Sequence, residues 1–138
     1  MSSQEENLAL ARTAFEAFQR GDIETVLGYM DPEMETYSSP ALANPVDTVG
    51  RDEWLAWMGR WLEVWDGYEV EALSMEAVGP DHVIVEMRQT AQGKGSGVDV
   101  ELLVYTVFEI HDGVAKRYHL YPSREEAVAF AEGESAGA

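Results

Sequence analysis

Val98-Asp99-Val100-Glu101-Leu102-Leu103-Val104-Tyr105-Thr106-Val107-Phe108-Glu109-Ile110-His111 reads as one long strand, rich in β-branched and aromatic residues. Both of its faces are informative. Val98, Val100, Leu102, Val104, Thr106, Phe108 and Ile110 form an almost wholly apolar face, which is expected to meet helices. Thr106 carries the only hydroxyl on that face and needs a partner there. The opposite face has an apolar middle, Leu103, Tyr105 and Val107, between Asp99, Glu101 and Glu109. An apolar patch on the outside of a sheet predicts a homodimer through that surface.

Working outward from this strand, Asp112-Gly113 is a hairpin signal leading into a further strand, Val114 to Tyr121. Ser123-Arg124-Glu125-Glu126 is then a capping box that opens a short last helix. On the amino-terminal side, Gly93 to Gly97 and Gly79-Pro80-Asp81 are turns bounding a strand from His82 to Gln92. Tyr68 to Val78 is another strand, and its apolar phase changes at Ala72-Leu73, which predicts a bulge. Arg51 to Asp66 is expected to be a helix, with Trp54, Trp57, Met58, Trp61, Leu62 and Trp65 at helical spacing. Such a stripe is first of all core.

Ser38 to Val49, with Pro40 and Pro45, reads as a loop, and Met34 to Tyr37 as a short strand. The first helix is expected over Glu5 to Arg20, with Leu8, Ala11, Phe15 and Phe18 on one stripe. Gly21 ends it, Asp22 caps a second short helix through Met30, and Asp31-Pro32 stops that one. Helices followed by a four-strand meander and a terminal helix make the fold class α+β.

The 138 residues fit a single domain spanning 1-138, with an ordered core over about 5-132. There is no cysteine, so disulfides and thiolate chemistry are excluded. The 26 acidic against 9 basic residues give a formal net charge of -17. That field disfavours nucleic acid and anionic membrane surfaces as partners. The acidic, polar start Ser2-Ser3-Gln4-Glu5-Glu6 is unlike a signal peptide, and no apolar run approaches the ~20 residues of a bilayer span, so a cytoplasmic location is expected.

The runs Phe15 to Asp22 and Met30-Asp31-Pro32-Glu33-Met34-Glu35 resemble the opening of SnoaL-like proteins of the nuclear transport factor 2 superfamily. Asp112 to Tyr121, followed by Ser123-Arg124-Glu125-Glu126-Ala127, resembles the ending of the same group. The resemblance implies a cone-shaped half-barrel, with helices packed in the concave face of a curved, mainly antiparallel sheet and a short C-terminal helix. It does not imply one function, because the superfamily holds ketosteroid isomerases, polyketide cyclases, epoxide hydrolases and binding modules.

Residue by residue, the places of the ketosteroid isomerase base and oxyanion hole fall at about Tyr37, Ala14 and Thr106. None of these three can take over the corresponding role, so that machinery is not retained. The carboxylate that SnoaL-type cyclases and limonene-type epoxide hydrolases carry on the last strand is replaced by His119. An imidazole can act as general acid or base there, which makes His119 the candidate catalytic residue. A structural histidine is the competing reading.

The expected cavity lies between the first helix, the tryptophan helix and the inner face of Val98 to Ile110. Phe15, Trp54 and Phe108 are its candidate apolar walls, and Tyr37, Arg88, Thr106 and Tyr121 its candidate polar ones. Alternation with Val83, Val85 and Met87 argues instead for exposure of Glu86 and Arg88. His82 and His111, beside turns, read as surface, and three scattered histidines do not suggest a metal site. No cofactor is expected. Two functions remain: a cofactor-free isomerase, cyclase or hydrolase acting on a small apolar metabolite through His119, or a non-catalytic ligand-binding or dimerisation module.

Overall fold

Six strands form one sheet in the computed structural model, which describes residues 3–42 and 47–137. In chain order the elements are α1 (Ser3–Gln19), α2 (Ile23–Gly28), β1 (Met30–Ser38), β2 (Thr48–Val49) and α3 (Arg51–Glu63). Then follow β3 (Trp65–Val78), β4 (His82–Gly93), β5 (Asp99–His111), β6 (Val114–Tyr121) and α4 (Arg124–Gly137). The strand order is β2-β1-β6-β5-β4-β3, with β1 parallel to β6 and every other pair antiparallel. This is the curved α+β half-barrel that the sequence predicts.

Local chemistry explains the boundaries. Asp22 caps α2, its carboxylate accepting from the Thr25 backbone N–H at 3.2 Å and from the Thr25 hydroxyl at 2.7 Å. The β5–β6 hairpin turns on Asp112 and Gly113, both left-handed at φ 53° and 78°, as a tight hairpin requires. Ser123 receives the Glu126 backbone N–H at the start of α4, as its capping pattern predicts. The β3 register shifts between Ala72 and Ser74, where the apolar phase changes, and again between Asp66 and Glu69 around Gly67.

Three boundaries differ from the sequence expectation. Asp31-Pro32 does not end a helix but lies inside β1, where the pairing with β6 is irregular between Met30 and Glu35. Such an irregularity tolerates a proline that has no N–H to give. Thr48-Val49, read as loop, pairs with Thr36 and Glu35 as a short edge strand. Residues 43–46 of that loop, Pro45 among them, lie outside the described residues. The tryptophan helix stops at Glu63, so Trp65 opens β3, where its ring meets Trp61 edge-on at 5.4 Å.

The two faces of the sheet have different coverings. On the concave face, Val83, Val85, Met87, Val104, Ile110, Tyr118 and Leu120 pack with Ala11 and Ala17 of α1, Val26 of α2 and Trp54 of α3. On the convex face, Ile84 and Val107 pack against Ala127 and Ala131 of α4, joined by Tyr105, Tyr121 and Phe130. The outer apolar middle of β5 is therefore largely covered by the chain's own last helix. Val107 has no exposed surface and cannot serve a dimer interface, whereas Leu103 stays 46 % exposed. No helix among the described residues is long and apolar enough to cross a membrane.

Candidate functional site

The concave face and the three helices over it leave a cavity of about 330 Å³, within the range of small-molecule pockets. Its walls come from every element expected to build it: Phe15 and Phe18 of α1, Trp54, Trp57 and Trp61 of α3, and Leu102, Val104 and Phe108 of β5. Strand alternation sets these faces, since Val104, Phe108 and Ile110 share one side of β5 while Val107 points to the other. Phe108 stacks on Tyr118 at 4.7 Å, and Trp57 on Trp61 at 6.3 Å, so two pairs of aromatic planes stand in the walls.

No charged side chain lines the cavity among the described residues. Its polar side-chain groups are the phenols of Tyr29, Tyr68 and Tyr118, the Ser38 hydroxyl, the Gln89 amide and the indole N–H groups. The Tyr68 hydroxyl donates to Gln89 Oε1 at 2.5 Å. Burial pushes the Tyr68 phenol up to about 12, with Trp61 pulling the other way, and burial also raises the Tyr118 phenol, helped by Tyr68. Both are protonated donors near neutral pH. Trp54 is 4 % exposed and its Nε1 has no hydrogen-bond partner among the described residues, as is also true of the Thr36 and Thr48 hydroxyls.

The candidate site residues divide between the two faces. Phe15, Trp54 and Phe108 line the cavity. Thr106 is on the inner face but does not line it, because its hydroxyl is used up donating to the Val85 carbonyl at 3.1 Å. Arg88 does not line the cavity, since Met87 and Gln89 take the inward positions of β4; it pairs with Glu71 at 3.1 Å and lines a second hollow beside Phe18, Tyr68 and Val70. Tyr37 is 39 % exposed and donates to Glu35 at 2.5 Å. Tyr121 lies outside as well, its ring 5.8 Å from that of Phe130.

His119 is the principal correction. Tyr118 and Leu120 face the cavity, so alternation turns His119 to the convex side, opposite the pocket. There it is buried rather than exposed, with Phe130 of α4 at 4.2 Å and the Tyr37 ring stacked at 5.3 Å. Burial lowers its pKa to about 4, with Glu109 opposing the shift and Arg117 adding to it. Its Nε2 has no hydrogen-bond partner among the described residues. His82, expected at the surface, is also buried, 6.5 Å from Phe130, because α4 lies over its end of β4.

Beside these rings runs a polar network. Arg117 donates to Glu109 at 2.9 and 3.2 Å and to Glu35 at 3.4 Å, and His111 meets Glu109 at 3.1 Å. Burial works against the Glu109 charge, but the bonds from His111 and Arg117 outweigh it and hold its carboxyl below the ordinary value. His111 also approaches Asp81 at 3.5 Å. No group of three or more His, Asp or Glu side chains fit to hold a metal occurs among the described residues.

The residues that sequence reasoning missed are Tyr68, Gln89 and Tyr118. Alternation from Val85 and Met87 places Gln89 inside, and alternation from Leu120 does the same for Tyr118. The signal was therefore present, but a polar residue at the end of an apolar face does not announce itself.

Residues 11–118 match the SnoaL-like domain family. No curated protein is significantly similar to the chain in sequence. Among solved structures, a protein from a soil-derived mobile gene cassette is 22% identical with a TM-score of 0.77, covering 92% of this chain and 96% of its own. A putative SnoaL-like polyketide cyclase from Jannaschia sp. CCS1 is 21% identical with a TM-score of 0.74, covering 99% of this chain and 96% of its own. TerC, co-crystallised with polyporic acid, is 18% identical with a TM-score of 0.73, covering 92% of this chain and 98% of its own.

Proposed function

We propose that this chain, which belongs to the SnoaL-like family, holds a small, neutral, largely apolar molecule in its cone and performs no proton transfer through His119. One observation carries the reading: among the described residues the cavity is walled by aromatic and aliphatic side chains without a single charge. Desolvating a charged ligand group there would be uncompensated, which costs several kcal/mol. A neutral ligand avoids that cost, and the surrounding charge of -17 further disfavours anions.

Catalysis by the residue that the sequence singles out would need His119 to reach the ligand. Its ring lies on the other side of β6, and a pKa of about 4 leaves it unprotonated near neutrality. The cavity's own titratable groups are phenols, and those of Tyr68 and Tyr118 are raised by burial. They suit hydrogen bonding better than acid–base exchange at neutral pH.

Fluorescence titration with N-phenyl-1-naphthylamine, a neutral apolar probe, tests the reading. Saturable binding is expected in the native chain, with loss of binding in Ala14→Phe, which places a ring in the cavity while the fold is retained. Binding that survives this substitution unchanged would put the probe elsewhere and defeat the proposal.

A further inference from the structure

Resting on the ligand-holding reading above, we infer that Gln89 is the cavity's specificity-determining residue, its side-chain N–H groups donating to an acceptor oxygen on a neutral, flat carbonyl compound. Gln89 is the one amide side chain lining the cavity among the described residues. It stands on β4 across from Val70 of β3 and Leu102 of β5, and all three side chains line the cavity. A polar group placed on such a wall is costly unless it is satisfied.

Half of that amide is satisfied. Its oxygen accepts the Tyr68 hydroxyl at 2.5 Å. The phenol donates and the amide oxygen accepts, so the amide nitrogen is left unused by this bond. With its oxygen engaged, the amide presents two N–H donors. Nε2 has no hydrogen-bond partner among the described residues and is not among the buried atoms sealed from space. A donor held by a phenol and open to an apolar cavity selects an acceptor.

The shape of the ligand follows from the walls. The Phe108–Tyr118 stack and the Trp57–Trp61 stack present planar surfaces, which favour a planar ring system over a branched aliphatic one. A ketone, quinone or lactone oxygen fits a neutral N–H donor and brings no charge into a site that has none to answer it. A carboxylate does not.

The test compares 9-fluorenone with fluorene, which share a planar skeleton and differ in the carbonyl, by displacement of N-phenyl-1-naphthylamine from the full chain. One neutral hydrogen bond corresponds to about a threefold to tenfold preference for fluorenone. Gln89→Leu is expected to abolish that preference while leaving fluorene binding in place. Tyr68→Phe, which frees the amide from its anchor, is expected to reduce it, and it serves if Gln89→Leu fails to fold. Equal affinity of the two compounds for the native chain, or a preference that survives Gln89→Leu, would overturn this inference alone. Failure of the probe and both compounds to bind would overturn the ligand-holding reading together with it.

Discussion

The His119 imidazole is held neutral by its surroundings, with the Phe130 ring on it, an unpartnered Nε2 and a pKa of about 4. In the unfolded chain the same ring titrates near its ordinary value of about 6.5. Between these two values the unfolded state binds more protons, so acid favours unfolding. The contribution of His119 is thus fully present above about pH 6.5 and is lost as pH falls towards about 4. Urea unfolding followed across that window should show stability declining with acid, and His119→Phe should flatten the decline. A His119 signal that titrates near 6.5 in the folded chain by NMR would contradict this account. The direction of the ring could not be read from the sequence, because β6 is covered on both sides. Tyr118 and Leu120 face a cavity and His119 and Tyr121 face a helix, so neither set carries the polarity that marks a solvent face.

At the scale of elements, α4 changes the meaning of the convex sheet. Its Ala127, Phe130 and Ala131 fall three and four apart, and this small apolar stripe covers Ile84 and Val107. The capping box at Ser123 made the helix legible, but its landing place was not, since an apolar strip on a sheet accepts a second subunit or the chain's own helix equally well. The β5 faces and the β3 bulge were legible because they depend on local alternation. The parallel β1–β6 pairing was not, because it joins segments far apart in the chain, and β2 was not, because two residues are too few to show an alternation. Phe130→Ala should destabilise the fold by about 3 kcal/mol, the usual cost of removing a packed phenylalanine. The same substitution should raise the His119 pKa towards 6.5, since it removes the ring that covers the imidazole. Chemical denaturation and histidine NMR on that one variant check both, and a stability within about 0.5 kcal/mol of the native chain would show that α4 is only loosely held.

Over the whole molecule, the cone was legible from the order of elements and the family resemblance, while the chemistry inside it was not. The sequence pointed to His119 and Arg88, the most reactive-looking residues near the expected pocket, and the fold keeps both out of the cavity. What it turns inward is a neutral set led by Tyr68 and Gln89, in walls of aromatic rings. The central claim is therefore that this interior accepts a neutral apolar molecule. The chain carries its own reporters for it: Met30, Met34, Met58 and Met87 line the cavity, whereas Met75 packs against the core without lining it. Methyl-labelled methionine NMR during titration with 9-fluorenone reads all of these at once. Shifts at the four cavity methionines with Met75 unmoved are the predicted result; unmoved cavity methionines at saturating 9-fluorenone, or shifts confined to Met75, would contradict it.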